Sequence, residues 1–259
     1  MPEPETEASA GRSRVALITG GSRGIGRACA LALADDGCDI AVNYRKNAEA
    51  AAEVVEAVEN LGHRAVAYRA SIELLEDCER LAAQVLDDFG AVDVLVHSAG
   101  VASRGGTVTQ TEPEELERVV KIHAFAPRHL CRLVVPSMRT RPRGDIVFIS
   151  SIAVRRPAPN GAPYNMGKAA LEALAWSLAA EERSNGIHVN VVAPGLVVTE
   201  MGRRMVKAMG VDDIGTLDAR SPFGRVCRPE DVANVVRFFC SERAGYVTGQ
   251  FVTVDGGGS

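Results

Sequence analysis

The sequence predicts an α/β protein, a single doubly wound, seven-stranded parallel sheet with helices on both faces. Of its 259 residues, 46% are hydrophobic and 24% are charged, which is ordinary globular composition. Short apolar runs alternate with longer amphipathic stretches, as in βα units. The runs are apolar without alternation, which is typical of strands covered on both faces. We expect one domain over 13–259, after a disordered tail at 1–12 that is rich in Glu and Pro.

The apolar runs predict the strands in chain order, at 15–18, 40–42, 65–67, 92–96, 145–149, 189–192 and 251–254. The amphipathic stretches predict a helix from about residue 24 and further helices at 50–61, 74–89, 113–138 and 162–184. Ligands of such sheets bind at the carboxyl ends of the strands. We therefore expect the functional residues directly after the apolar runs.

Charge and composition exclude several classes of protein. The formal net charge of −4 removes the basic field that non-specific nucleic-acid binding needs. No apolar run approaches the length of about 18 residues that a membrane span requires, and the first residues are acidic rather than those of a signal peptide. The six cysteines are scattered singly, which predicts reduced thiols, no metal site and a cytoplasmic protein.

A glycine-rich segment, TGGSRGIG at 19–26, lies between the first predicted strand and the first predicted helix. Glycines permit a tight turn there, and the backbone N–H groups of a helix N-terminus bind a pyrophosphate. The alternative is a purely structural glycine loop. Its position between strand and helix favours dinucleotide binding.

A second motif is Tyr164 followed four residues later by Lys168, with Ser151 thirteen residues upstream at the end of a predicted strand. Residues four apart lie on one helical face, so the ammonium group of Lys168 can lower the pKa of the phenol from about 10. Tyr164 is then a candidate proton donor and acceptor. Such a pair alone is more often merely exposed, but it occurs here together with the glycine loop.

With both motifs, the chain resembles the short-chain dehydrogenase/reductase family, in particular its 3-oxoacyl-[acyl-carrier-protein] reductase-like members, over about 13–258. Further matching segments lie at 193–195, 222–225, 228–233, 248–250 and 254–257. The resemblance implies a Rossmann-type fold. It also implies that Tyr164 gives a proton to a substrate carbonyl, that Ser151 hydrogen-bonds that oxygen, and that Lys168 holds the nicotinamide ribose and tunes Tyr164.

The resemblance further implies the set of cofactor-binding residues. They are Gly20, Ser22, Arg23, Gly24, Ile25, Gly26, Tyr44, Arg45, Ser71, Ile72, Ser98, Ala99, Gly100, Tyr164, Lys168, Pro194, Gly195, Val197 and Thr199. An acidic residue at the end of the second strand would favour NAD, and none is present. Arg23 and Arg45 could instead bind a 2′-phosphate bidentately, so NADP(H) is the preferred cofactor and NAD(H) stays open. The alternative is two solvated arginines.

Some positions depart from the family pattern. His97 and Ser98 stand where similar proteins carry two asparagines, and Ser71 stands where an aspartate is common. His123 occupies the place of an asparagine that holds a water in the proton relay. A ring nitrogen of His123 could hold that water, His123 could bind substrate, it could mark a weakened enzyme, or it could be an ordinary core histidine. We favour a working enzyme with an altered relay, which makes His123 a catalytic candidate.

The segment 200–220 is the expected substrate lid. Met201, Met205 and Met209 recur at four-residue spacing and would suit an acyl or polyketide chain, although a plain amphipathic lid fits equally. Arginines at 139, 141 and 143 could dock an acidic carrier protein or simply complement a helix end. Related proteins assemble through the helices at 113–138 and 162–184, and an apolar stripe at 171, 174, 175 and 178 favours a homotetramer.

These observations predict an NADP-dependent reductase that converts a ketone, a 3-oxoacyl or related carbonyl, to a secondary alcohol. The alternative is a nucleotide-binding regulator or scaffold of the same fold with weakened or lost catalysis. The substitutions at His97, Ser98 and His123 motivate that alternative, and the intact set of Ser151, Tyr164 and Lys168 argues against it.

Overall fold

A computed structural model describes residues 12–258, so the tail expected at 1–12 lies outside the described residues except for Arg12. Seven parallel strands form one sheet in the order β3-β2-β1-β4-β5-β6-β7. The strands are β1 Val15–Thr19, β2 Asp39–Tyr44, β3 Ala65–Arg69, β4 Val94–His97, β5 Gly144–Ile149, β6 Ile187–Pro194 and β7 Phe251–Val254. The order reverses between β1 and β4, which opens a crevice at the carboxyl ends of these strands.

Eight α-helices connect the strands within the described residues. They are α1 Gly24–Asp35, α2 Ala48–Glu59, α3 Leu75–Phe89, α4 Pro113–Val120, α5 Ala126–Met138, α6 Ala162–Glu182, α7 Glu200–Ala208 and α8 Pro229–Phe239. Two cores cover the two faces of the sheet. Side chains of α1, α2 and α8 fill one core, and side chains of α3, α5 and α6 fill the other. Strands covered on both sides explain the apolar runs without alternation.

The predicted helix at 113–138 is interrupted. A turn of π-helix, Lys121–Phe125, separates α4 from α5 and contains His123. Such turns insert one extra residue into the helical ladder and frequently lie at functional sites. Helix α8, which the apolar periodicity did not predict, covers α1.

The apolar stripe offered above for assembly is buried within the protomer. Leu171, Ala175 and Leu178 belong to the core between α6 and the sheet, and Leu174 packs against it. The large apolar side chains that α6 exposes are instead Met166 and Trp176. The stripe therefore explains why α6 lies on the sheet and gives no evidence on assembly.

Among the six cysteines, five are buried and Cys227 is half-buried, and all six are free thiols. This fits the prediction of reduced thiols. In residues 12–258 no helix is both long enough and apolar enough to cross a membrane.

Candidate active site

The structure brings the predicted site residues to one edge of the sheet. The glycine loop connects β1 to α1. Tyr44 is the last residue of β2 and Arg45 comes directly after it, and Ser71 and Ile72 follow β3. On the other side of the crevice, 98–100 follow β4, Ser151 follows β5, and Tyr164 and Lys168 lie in the first two turns of α6. Pro194 ends β6, and Gly195, Val197 and Thr199 lead from it into α7.

The glycine loop is folded too tightly for side chains. Gly20 and Gly24 have positive φ values of +63° and +55°, and a Cβ atom on Gly20 would lie 2.9 Å from Ala99 Cα. A Cβ atom on Gly26 would overlap the Gly20 carbonyl oxygen. No side chain caps the N-terminus of α1, so the N–H groups of its first turn are free of side-chain acceptors. This cradle fits the pyrophosphate of a dinucleotide.

Two polar side chains fasten the loop to the neighbouring strands. The Thr19 hydroxyl oxygen accepts hydrogen bonds from the backbone N–H groups of Ser98 and Ala99, both at 3.1 Å. Asn43, buried near the end of β2, accepts from Gly20 N at 3.4 Å and donates to Ala70 O at 3.1 Å. The ends of β1, β2, β3 and β4 are therefore linked around the crevice.

Tyr164 and Ser151 form the polar pair expected at the carbonyl. Removal of Tyr164 from water raises its pKa, and a hydrogen bond with Ser151 lowers it, with burial dominating. The expected lowering of the Tyr164 pKa by Lys168 is thus not what the structure shows. Lys168 Nζ lies 5.8 Å from the centre of the phenol ring and donates its hydrogen bond to the Ile149 carbonyl oxygen.

Lys168 is 4% exposed, and its Nζ donates to the Ile149 carbonyl oxygen at 2.6 Å. Burial lowers the pKa of Lys168 to about 7, and the carboxylate of Glu172, one turn further along α6, acts in the opposite direction. Glu172 is itself buried and accepts a hydrogen bond of 2.6 Å from Ser150. Arg155 pairs with its other oxygen at 3.3 Å. The amine of Lys168, whose pKa lies near neutral pH, is therefore a close neighbour of Tyr164, the candidate acid.

His123 is fully buried beside Tyr164, with an edge-to-face ring contact of 5.1 Å between centroids. Its Nε2 lies 2.8 Å from the Val101 carbonyl oxygen and 3.3 Å from the Val101 backbone nitrogen, and the shorter contact favours a ring proton on Nε2. Nδ1 is then an acceptor, and it is buried without a partner among residues 12–258. Burial, and after it the charge of Lys168, lowers the His123 pKa well below its usual value, so the ring is neutral. Glycines at 100 and 167 make room for it.

His97 is the second buried histidine. Its Nδ1 lies 3.1 Å from the Thr19 hydroxyl, whose lone pairs already accept the two backbone bonds. The hydroxyl therefore donates to Nδ1, and the proton of the neutral ring is on Nε2. Burial, and then the charge of Lys168, lowers the pKa of His97 to about 3. His97 acts as a structural acceptor behind the glycine loop.

The two arginines predicted to bind phosphate each carry a carboxylate partner. Arg23 forms an ion pair with Glu200, the first residue of α7, and Glu200 also pairs with Arg204. Arg45 lies 3.7 Å from Glu73, which in turn accepts a hydrogen bond of 3.1 Å from the Ser71 hydroxyl. Neither arginine is simply solvated, although all these side chains are partly exposed.

The segment expected to form a lid comprises α7 and a 3₁₀ segment, Ile214–Arg220. Its buried apolar side chains are Val206 and Ile214, and its three methionines are exposed. The arginines at 139, 141 and 143 pair with Glu182, Asp93 and Asp145. They are therefore neutralised within the protomer and do not form a free basic surface.

Sequence reasoning missed several residues of this edge. Glu73, Glu172 and Glu200 were not selected, because a carboxylate has no signature until its partner is known. Asn43 was visible as a polar residue in an apolar run, which is the one signal that could have identified it. In the described part of the chain, no three His, Cys, Asp or Glu side chains are grouped to hold a metal ion.

Comparison with known proteins shows the family of the chain. The model of the family described as Enoyl-(Acyl carrier protein) reductase matches residues 20–259. Human dehydrogenase/reductase SDR family member 4 is 35% identical over 95% of this chain and 87% of its own length. The 3-oxoacyl-[acyl-carrier-protein] reductase FabG of Staphylococcus epidermidis is 34% identical over 95% and 98%. The crystal structure of L-sorbose reductase from Gluconobacter frateurii, complexed with NADPH and L-sorbose, superposes with a TM-score of 0.88 at 31% identity and covers 95% of this chain and 96% of that one. The chain therefore belongs to the short-chain dehydrogenase/reductase family of oxidoreductases.

Proposed function

We propose that the protein is an NADPH-dependent ketone reductase whose catalytic residues are Ser151, Tyr164 and Lys168. The observation that carries this proposal is the placement of Tyr164 near Ser151 and one helical turn from Lys168, at the edge of the sheet where the glycine cradle also lies. A bound nicotinamide cofactor supplies the hydride. The protein residues supply the proton and the position of the carbonyl group.

The proton moves through Tyr164. Because burial raises its pKa, the phenol is protonated at neutral pH and can donate to the carbonyl oxygen that Ser151 hydrogen-bonds. The tyrosinate that remains needs a nearby positive charge, and the buried Lys168 supplies one when it is protonated. His123 Nδ1, a buried acceptor with no partner among the described residues, is the atom that would hold a relay water behind Tyr164.

The cofactor would lie along the crevice. The N-terminus of α1 and the glycine loop would hold the pyrophosphate, Ser71 and Ile72 the adenine, and the segment 98–100 and the residues after β6 the nicotinamide side. Arg23 and Arg45 at the end of the crevice would hold a 2′-phosphate. The NADPH in the L-sorbose reductase complex supports this choice, and NAD(H) remains the alternative.

For the substrate we propose a 3-oxoacyl thioester or a related ketone. The name of the Staphylococcus relative supports this class, and so does the exposed methionine face of the lid, at Met201, Met205 and Met209. Delivery on a carrier protein would need a surface other than the paired arginines at 139, 141 and 143. We further propose a cytoplasmic homotetramer.

The test is the loss of NADPH absorbance with a panel of β-keto thioesters and activated ketones. We expect turnover that prefers NADPH to NADH and falls at least about 100-fold in Tyr164→Phe. Tyr246→Phe is the matched control, because Tyr246 is fully exposed and lies near the beginning of β6. Tight NADPH binding without turnover on any substrate would contradict the reductase and favour the regulator.

A further inference from the structure

The end of the crevice that would receive a 2′-phosphate contains two arginines and two glutamates. Arg23 pairs with Glu200 at the beginning of α7, and Arg45 approaches Glu73, which follows β3, within 3.7 Å. Both pairs lie next to the glycine loop, since Gly21 N donates to Asn43 O at 2.9 Å and Asn43 precedes Tyr44 and Arg45. These four charges cancel, and only Arg204, the second partner of Glu200, leaves a net positive charge for an anion.

Resting on the NADPH preference proposed above, we propose that Glu73 and Glu200 are specificity-determining residues that occupy the guanidinium groups needed by the 2′-phosphate of NADP(H). Binding of NADP(H) is then an ion exchange, in which the phosphate replaces a carboxylate on each arginine. NAD(H), which lacks that phosphate, leaves both pairs in place.

The surroundings of both carboxylates support an exchange. Glu200 keeps a second partner in Arg204, four residues further along the same helix. Glu73 still accepts the hydrogen bond from the Ser71 hydroxyl group. Each carboxylate that loses its arginine therefore retains a hydrogen-bond donor, which limits the cost of the exchange.

Exposure of the pairs also supports the proposal. The side chains of Arg23 and Glu200 are 63% and 42% exposed, and those of Arg45 and Glu73 are 47% and 32% exposed. Exposed pairs are weak, whereas a phosphate dianion bound bidentately by arginine forms stronger charge-assisted hydrogen bonds. The phosphate can displace the carboxylates, but it loses part of its binding free energy in doing so.

The experiment measures dissociation constants of NADP⁺ and NAD⁺ by titration calorimetry on the full-length protein. We expect Glu73→Gln and Glu200→Gln each to tighten NADP⁺ binding about two- to fivefold, with NAD⁺ unchanged. The double variant should tighten NADP⁺ binding about tenfold if the two sites act independently. Glu242→Gln is the matched control, because it removes the same charge from an exposed residue near Arg143, at the opposite edge of the sheet.

Arg23→Ala and Arg45→Ala separate this inference from the proposed cofactor choice. If the arginine variants bind NADP⁺ as well as the wild type does, the proposed NADPH preference itself fails. If they lose NADP⁺ affinity while the glutamate variants keep the wild-type ratio of NADP⁺ to NAD⁺ affinity, only the exchange is overturned. A weaker NADP⁺ affinity in the glutamate variants would also overturn it, since the carboxylates would then orient the arginines for phosphate.

Discussion

The two sides of the crevice hold their charged groups in opposite ways. On the nucleotide side, formed by the ends of β1 to β3 and the start of α7, arginines and glutamates form exposed pairs. On the catalytic side, formed by β4, β5 and α6, Lys168, Glu172, His97 and His123 are buried. Exposed pairs respond to salt and competing anions, whereas burial shifts the pKa values of Lys168, His97 and His123. The comparison separates substitutions that change cofactor choice from those that change the chemical step.

The largest effect is expected from Lys168→Met on the catalytic side. We expect kcat/KM for ketone reduction to fall at least about 100-fold, because no charge then stabilises the tyrosinate of Tyr164. Steady-state kinetics with NADPH measure it, with Lys121→Met, a change at an exposed lysine paired with Glu117, as control. Near wild-type activity would show that Lys168 has no role in proton transfer.

The pH profile of the reaction should follow Lys168. With a pKa of about 7, its amine is charged below pH 7 and becomes neutral above it. We therefore expect kcat/KM for reduction to fall above pH 7, by up to about tenfold per pH unit. Because the charge of Glu172 raises the Lys168 pKa, Glu172→Gln should move the inflection to lower pH.

Ser150→Ala is the control for that shift, since it removes a hydrogen bond to Glu172 and leaves the carboxylate charge in place. Its inflection should stay at the wild-type pH. An inflection that moves equally in both variants would mean that packing around Glu172, and not its charge, sets the profile.

A smaller effect is expected from Gly100→Ala, which tests how tightly the catalytic side is packed. A Cβ atom on Gly100 would lie 2.7 Å from Cε1 of His123. We expect the free energy of unfolding to fall by about 1–3 kcal/mol, as for other overpacked sites. In the His123→Asn background the ring is absent, and the cost should be smaller by at least about 0.5 kcal/mol.

Denaturant unfolding of the four proteins of this cycle measures the coupling. Gly161→Ala is the control, because its new Cβ atom would be no closer than 3.4 Å to any neighbour. Equal losses in both backgrounds would show that His123 moves freely, contrary to its packing between Gly100 and Gly167.

The sequence was sufficient to predict the sheet and the edge on which the site lies. Strands such as β1 and β5 are buried along their full length, so their apolar runs are local signals. The glycine loop and the spacing from Ser151 to Tyr164 to Lys168 are also local, and the structure places them around one crevice.

What could not be predicted depends on distant partners. The π turn at Lys121–Phe125 interrupts an amphipathic pattern that continues on both sides of it. Glu200 pairs with Arg23 across 177 positions of the chain, and no periodicity joins them. The lowered pKa of Lys168 likewise depends on its burial below β5, which its spacing from Tyr164 does not reveal.

The smallest effect concerns salt and the nucleotide side. Screening weakens the contact between a phosphate dianion and Arg45 more than a contact of single charges. We therefore expect NADP⁺ affinity to fall about threefold between 50 and 300 mM KCl, while NAD⁺ affinity and kcat change less than about twofold. In Arg45→Ala the salt dependence of NADP⁺ binding should become shallower, because only the contact of the phosphate with Arg23 is then left to be screened. A kcat as salt-sensitive as NADP⁺ affinity would mean that exposed charges also govern the chemical step, and the division between the two sides of the crevice would not hold.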